Sequence, residues 1–476
     1  MEKEKKKFFV STAIDYPSRK PHLGHCLERV QADVLARFKR LSGFDVHFSI
    51  GTDEHGQKIQ RYAQAAGKKP QEFVDEISGY FKDLWQKLNV SNDDFIRTTE
   101  KRHQKVVERV IGQIYDKGDI YKGKYKGLYC VDCETYYLKK DLDNGKCSVH
   151  GKEPELIEEK AYFFRTSKYQ KQIIEHIEQN PDFIIPQTRK SEILSRLKEP
   201  LRDLSITRNI DWGIPLPFDK KFTLFVWVDA LLNYFTTINY PSGKFKQFWP
   251  ADVHIVGKDI NWHHSVIWSA LLLSLDLPLP KTIFVHGYIT SSGQKMSKSL
   301  GNVVDPFELV KKYGTDPVRY FLLREISPTE DGDFTIKKFG ERYNADLASG
   351  LGNLLARVIT LAHKLKIKNE KCKITIQNEK LKEVINQTKE NYKKGLDNFR
   401  FNETLAAVWQ LISFCDKHIE ENRPWEGGEK AKEVVGDLLI ALREIADLLK
   451  PFLPESSDKI LAQLKSGKSK PLFPRL

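Results

Sequence analysis

Three patterns predict an α/β fold for this chain: a doubly wound, Rossmann-type parallel-sheet domain, split by an insertion and followed by an all-α helical bundle. The first is an alternation of short apolar runs with helix-period stretches, in both 1–120 and 214–333. The second is a polar, turn-rich segment between those halves, with cysteines and a histidine in metal-knuckle spacing. The third is the helical spacing that dominates from Phe334 onward. Four segments are therefore expected: sheet domain, first half, 1–120; insertion, 121–213; sheet domain, second half, 214–333; helical bundle, 334–476.

The 476 residues accommodate two or three domains with full cores. The N-terminus is basic, but its apolar run is broken at Asp15, so no signal peptide is expected. The longest apolar stretch, 268–275, is too short to span a bilayer. These features exclude secreted and membrane-spanning classes and predict a soluble, cytoplasmic protein. Lys and Arg outnumber Asp and Glu by 77 to 64, a net +13 that favours polyanionic partners such as nucleic acid. A basic surface kept for solubility has the same composition. The charge is not gathered in one tail, so any nucleic-acid surface must be made by folding.

Taken in order, 8–13 reads as a buried strand and 15–21 as turn, with two prolines and no apolar period. From His25, Leu27, Val30, Val34, Phe38 and Leu41 share a helix face, and Gly43 ends it. A strand, a tight loop and a helix present free N–H groups at a sheet edge, where α/β folds bind phosphates. His22-Leu23-Gly24-His25 stands at that mouth. Glycine allows close approach, and the imidazoles offer N–H donors. A capped turn with two surface histidines is the plainer alternative. A second strand, 45–50, leads to Gly51-Thr52-Asp53-Glu54-His55-Gly56. Asp53 there suits either a substrate ammonium or capping of the next helix. Helices follow at 70–88 and 99–117.

The insertion carries Cys130-x2-Cys133 and Cys147-x2-His150. Two knuckles of two ligands each close a tetrahedron around Zn²⁺ and leave no open position, so the ion is structural, one per chain. A redox pair would need a thioredoxin-like βαβ context, which is absent. Cys26, Cys372 and Cys415 read as ordinary buried thiols. Helices around 167–180 and 188–198 lead back to α/β patterning. There 223–228 reads as a strand, 229–234 as the start of a helix, and 254–256 as a strand ending in Gly257-Lys258-Asp259. His263 and His264 open a helix to Leu275, and a strand at 283–288 leads into Lys295-Met296-Ser297-Lys298-Ser299. Two lysines about a small polar centre clamp a triphosphate as point charges. Two uncommon motifs thus end the two half-domains, each just after a strand.

With these residues on the page, the chain resembles the class I aminoacyl-tRNA synthetases, and within them the methionyl-tRNA synthetase family, over essentially its whole length. His22–His25 and Lys295–Ser299 match the two class signatures. The resemblance implies His22, His25, Lys295 and Lys298 as catalytic residues, and an ATP site of His22, Gly24, His25, Gly257, Asp259, His264, Lys295 and Lys298. The narrower match rests on Ala13-Ile14-x-Tyr16, Val226-Trp227-Val228-Asp229-Ala230 with Tyr234, and Phe284-Val285-His286-Gly287-Tyr288. It implies a methionine pocket of Ala13, Ile14, Tyr16, Asp53, Trp227, Ala230, Tyr234 and His286. Taken without the resemblance, Trp227 reads as an ordinary core residue.

For the helical bundle the resemblance implies anticodon contacts from Asn353, Arg357 and Trp425. A plug between helices is the plainer reading of a lone tryptophan. The implied partners are ATP with Mg²⁺, L-methionine and tRNA(Met), initiator and elongator, with no membrane. The family's appended OB-type domain has no counterpart here, which predicts a monomer. A different class I specificity is disfavoured by the Trp227 and His286 contexts and the short insertion. Adenylate transfer to a small amine is disfavoured by the long helical C-terminus.

Overall fold

The computed structural model describes residues 5–132, 135–137, 142–149, 151–296, 302–367 and 376–476. The chain forms two compact units. The first takes the chain up to Pro21, Ser42–Asp83 and Asn92–Val285; the second takes His22–Leu41, Leu84–Ser91 and His286–Leu476.

The first unit is built on strands β1 (Lys7–Thr12), β2 (Asp45–Thr52) and β3 (Asp94–Arg97), then β4 (Ile120–Cys130), β5 (Thr135–Tyr137) and β6 (Glu155–Phe164). It continues with β7 (Ile184–Ile185), β8 (Leu204–Ser205), β9 (Thr207–Arg208), β10 (Thr223–Leu224), β11 (Val253–Gly257) and β12 (Thr282–His286). Six of these form one sheet in the order β3-β2-β1-β11-β12-β7. Val10 of β1 pairs in parallel with Phe48 of β2 on one side and Val253 of β11 on the other. Phe9, Val10, Phe48, Ile50, Ile255 and Ile283 are buried, as apolar runs in a parallel sheet covered on both faces must be. Strand order reverses between β1 and β11, and such a switch point opens a crevice at the carboxyl ends of the strands. At the end of β2, a Cβ on Gly51 would lie 2.1 Å from the Ile96 carbonyl oxygen of β3, so only glycine fits there.

Helices in this stretch of chain include α1 (Leu23–Leu41), α2 (Gln57–Ala65), α3 (Pro70–Lys87), α4 (Lys101–Asp116), α5 (Gln170–Gln179), α6 (Gln187–Arg196), α7 (Val226–Leu231) and α8 (Asn233–Thr236). The insertion holds more sheet than its turn-rich sequence implied. β4 and β6 pair antiparallel from Ile120↔Phe164 to Tyr129↔Glu155, in a four-stranded sheet ordered β5-β4-β6-β8. The expected strand at 223–228 is corrected: extended backbone ends at β10 and Phe225, and α7 begins at Val226. A short apolar run does not by itself separate strand from buried helix. Here Asp229 decides, because a helical turn brings its carboxylate between two histidines described below.

The second unit carries a small sheet, β13 (Ile289–Ser291), β14 (Gln294–Lys295) and β15 (Gly332–Phe334), ordered β14-β13-β15. Its bundle includes helices Asn353–Lys364, Glu379–Asp397, Phe401–Asn422, Glu429–Leu449 and Pro454–Ser466. A π-helical stretch, Tyr343–Gly352, runs straight into the first of these. Leu354, Leu355 and Val358, Leu405, Val408 and Leu411, and Leu438, Leu442 and Ile445 are buried, each set at helical spacing. Among the described residues no helix is long and apolar enough to cross a membrane.

The compact units cut the chain differently from the four segments expected above, because α1 and Leu84–Ser91 go with the C-terminal half. The reason is a buried ion pair. Asp33 of α1 lies 2.7 Å from Arg319, and neither side chain is exposed. Arg319 also donates to the carbonyls of Phe452 (2.8 Å), Leu88 (3.1 Å) and Pro451 (3.0 Å). Asp33 accepts from the Ser91 backbone N–H at 2.7 Å and hydroxyl at 2.6 Å, and from Arg37 at 2.8 Å. Burial alone would raise the Asp33 carboxyl, but Arg319, Arg37 and Ser91 outweigh it and hold it below the ordinary value.

Removing one partner strands the other, which typically costs about 3–5 kcal/mol. Arg319→Met should therefore lower the melting temperature by several degrees. The contribution of Asp33 is present above its unfolded-state value, about 3.9, and is lost as pH falls through the lower folded one. The variant's deficit should accordingly be full at neutral pH and shrink in strong acid. Thermal melts at both pH values check this.

Candidate active site

The expected site residues divide between the two units. In the second, His22, Leu23, Gly24 and His25 form the first turn of α1 and the residue before it. The Gly24 N–H donates to His22 Nδ1 at 3.1 Å, so the ring proton of a neutral His22 sits on Nε2 as a donor. The His22 N–H approaches His25 Nδ1 at 3.2 Å, and the two rings are 4.1 Å apart. Burial, and then His22, hold the His25 ring well below the ordinary histidine value. His25 is therefore neutral at physiological pH and presents a dipole, not a cation. A Cβ on Gly24 would sit 2.8 Å from His22 Cε1, so the glycine makes room for the first imidazole.

Lys295, the first residue of the second signature, belongs to the same unit. Lys295 ends β14, with its backbone paired to Thr290 of β13. Lys298 lies outside the described residues. Just beyond, the Val304 carbonyl accepts from the Leu23 N–H at 3.1 Å, so the chain leaving the lysine motif is fastened to the start of α1. His286 belongs to this unit as well. Its Nε2 is 2.9 Å from Glu28 of α1 and its Nδ1 2.7 Å from the Gly287 carbonyl.

The first unit holds the other expected amino-acid residues. Ala13, Ile14 and Tyr16 follow β1, and the Ala13 N–H donates to Ile255 of β11 at 3.1 Å, across the switch point. Asp53 follows β2 and is buried, and its N–H donates to the Asp15 carbonyl at 2.8 Å. The Tyr16 hydroxyl donates to the His55 carbonyl at 3.1 Å. Trp227 and Ala230 lie on α7, Tyr234 on α8. Trp227 stacks on His263 with centroids 3.9 Å apart. Burial, then His264 and Arg196, lower His263 to about 3, leaving a neutral, flat partner for the indole. Tyr234 donates to His264 Nε2 at 2.7 Å, while His264 Nδ1 donates to the Ile260 carbonyl at 2.9 Å. His264, expected with ATP, is thus bonded to a residue of the methionine set. Gly257 ends β11 and Asp259 is exposed in the turn that follows.

Sequence reasoning missed two histidines, His103 and His263. His103 lies on the buried stripe of α4 with Val106, Val107 and Val110. A polar residue in register with an apolar stripe is a signal that could have found it.

Of the four metal-type residues, Cys133 and His150 lie outside the described residues. Cys130 ends β4 and Cys147 sits in a turn, both buried. The Cys147 N–H donates to the Lys152 carbonyl at 2.8 Å, and its carbonyl accepts from Gly151 at 2.8 Å. A buried thiol at a strand end and another in a closed turn are donors of the kind that zinc takes.

In the bundle, Asn353 is exposed at the start of its helix. Arg357, one turn on, pairs with Glu420 at 2.6 Å and Asp416 at 3.5 Å. Burial and Glu420 push Asp416 up to about 6 against the pull of Arg357. Trp425 is 40% exposed in a short 3₁₀ turn and is not a core plug. Its carbonyl accepts from Lys364, at the end of the helix that carries Arg357, at 3.1 Å.

The family model for tRNA synthetases class I (M) matches residues 8–140 and 137–359. The chain is 44% identical to the methionine–tRNA ligase of Caldanaerobacter subterraneus subsp. tengcongensis over 473 residues, 97% of this chain and 74% of the relative. It belongs to the methionyl class I tRNA synthetase family. A model for the anticodon-binding domain of tRNA ligase matches 378–473. The Bacillus subtilis family member is 41% identical over 523 residues, covering 100% of this chain and 79% of that one. Mycobacterium tuberculosis methionyl-tRNA synthetase, solved in complex with methionyl-adenylate, superposes with a TM-score of 0.92 at 35% identity, over 99% of this chain and 100% of that one.

Gly24→Ala tests the role of the His22 turn. Alanine suits a helix start, so the melting temperature should hold, while the displaced imidazole should slow adenylate formation about tenfold to a hundredfold. Pyrophosphate exchange alongside a thermal melt checks both halves of this expectation.

Proposed function

We propose that the chain is a methionine–tRNA ligase, which activates L-methionine with ATP and passes the methionyl group to the 3′ end of tRNA(Met), releasing AMP and diphosphate. The observation that carries this reading is identity of 41–45% to methionine–tRNA ligases over nearly the whole chain. ATP and tRNA as substrates place its work in the cytoplasm.

The methionine carboxylate is ionised at neutral pH and attacks the α-phosphorus in line, so no general base is required. Asp53 faces the amino group, and Ala13, Ile14, Tyr16, Trp227, Ala230, Tyr234 and His286 shape the side-chain pocket, where aromatic rings suit a thioether. His22 and His25 donate to phosphoryl oxygens. Because His25 is neutral, it stabilises developing charge through an oriented N–H. Lys295 and Lys298 meet the departing pyrophosphate as point charges. Gly24, Gly257, Asp259 and His264 hold the nucleotide. Mg²⁺ arrives with ATP and neutralises phosphate charge. Cys130, Cys133, Cys147 and His150 would hold one structural Zn²⁺, which would tie the insertion together.

The decisive experiment is ATP–pyrophosphate exchange with each of the twenty amino acids and homocysteine. Methionine should lead. Homocysteine, one methyl shorter, should follow at a disadvantage of about 1–3 kcal/mol. Another amino acid outperforming methionine would sink the reading.

For tRNA, Asn353 and Arg357 present hydrogen-bonding groups and the exposed Trp425 a stacking face to unstacked anticodon bases. Trp425→Ala should leave exchange and thermal stability unchanged and weaken aminoacylation of tRNA about tenfold to a hundredfold. Parallel loss of both activities would move the anticodon contact elsewhere.

A further inference from the structure

Asp229 is fully buried, with a different histidine at each carboxylate oxygen. His55 Nδ1 is 2.7 Å from Oδ2, and His103 Nε2 is 2.7 Å from Oδ1. The other nitrogen of His103 lies 2.9 Å from the Thr236 hydroxyl oxygen, and that hydroxyl gives its proton to the Leu232 carbonyl at 3.2 Å. Thr236 thus gives His103 a hydroxyl partner fixed on α8. The carboxylate, for its part, accepts from both imidazoles. Burial would raise the Asp229 carboxyl, yet the two histidines keep it below the ordinary value, and it stays ionised.

This chain of bonds joins four elements of the fold. α7 contributes Asp229, two residues after Trp227 and one before Ala230. The loop after β2 contributes His55, two residues after Asp53. α4 and α8 contribute His103 and Thr236. The loop is braced further: the Glu54 carbonyl accepts from Trp212 Nε1 at 2.6 Å, and the Glu54 carboxylate from Ser78 and Arg97 at 2.6 Å each. The free end of the brace is the His55 carbonyl, which holds the Tyr16 hydroxyl. One carboxylate therefore links the loop of Asp53, the helix of Trp227 and Ala230, and the orientation of Tyr16.

We propose that Asp229, His55, His103 and Thr236 form a positioning clamp that sets the geometry of the amino-acid pocket, and so governs affinity for methionine without acting on ATP. None of the four need touch substrate. The inference rests on the reading that Asp53, Tyr16 and Trp227 bind methionine. A brace that served folding alone would have no reason to separate the two substrates.

The test is exchange kinetics on the full chain, varying methionine and ATP separately. Asp229→Asn removes the charge. Thr236→Val, nearly isosteric, removes only the hydroxyl that meets His103 and guards against a misfolded first variant. Both should raise KM for methionine about tenfold to a hundredfold, with KM for ATP and the melting temperature unchanged. Thr236→Ser, which keeps the hydroxyl, should restore the wild-type KM. A folded Thr236→Val protein with an unchanged KM for methionine would overturn the clamp. So would a fall in melting temperature with kcat and both KM values moving together. Failure of the wild-type protein itself to activate methionine would bring down the functional reading, and this inference with it.

Discussion

The buried pair of Asp33 and Arg319 fixes which parts of the chain fold together in the second unit. An arginine with no exposed surface must place all its donors, and here they go to one carboxylate and three backbone carbonyls. Those carbonyls belong to chain ends that no helix satisfies: the segment after α3 and the turn before Pro454–Ser466. Burying an ion pair is seldom the cheapest way to gain stability. What it supplies is registration. α1 can seat in one rotation only, because Asp33 must meet Arg319 while Ser91 and Arg37 meet Asp33. The histidine turn at the head of α1 inherits that rotation.

Three of the histidines carry little positive charge of their own. His25 and His263 are held neutral by burial, and so is His254, whose Nδ1 lies 2.6 Å from the Ser11 hydroxyl beneath the Tyr234 ring. Imidazoles in these positions work as oriented dipoles and flat faces. Permanent positive charge is left to the lysine motif, on the chain whose exit is tied to α1 through Val304. Separating dipoles from charges in this way suits a reaction whose difficulty is charge redistribution among phosphates, since fixed dipoles need no reorganisation as the bond breaks.

Much of this was legible in the sequence. The doubly wound sheet follows from apolar runs alternating with helix-period stretches, and the two signature motifs mark the strand ends. The exposed Trp425 follows a proline at a helix junction. Other features were hidden for identifiable reasons. The run Phe225–Val228 has no period that separates strand from helix, and the partners that Asp229 of α7 meets, His55 and His103, are distant in sequence. The grouping of α1 with the C-terminal half depends on a pair 286 positions apart in sequence, beyond any local pattern. The β4–β6 ladder was visible in principle: Tyr121, Gly123, Tyr125, Gly127 and Tyr129 alternate with Lys122, Lys124, Lys126 and Leu128, the period of a strand.

In the anticodon role proposed for it, Arg357 would differ from most arginines that meet nucleic acid. With Glu420 at 2.6 Å and Asp416 at 3.5 Å, its immediate surroundings are not cationic. Such a side chain has no surplus field to draw in a phosphate and displaces few counterions on contact. Its planar fork is nevertheless held still by the two acids, the state in which bidentate geometry can be read. Recognition at this point of the bundle would therefore depend weakly on ionic strength and strongly on the identity of the base. Long-range attraction of the polyanion would fall to the rest of a +13 chain.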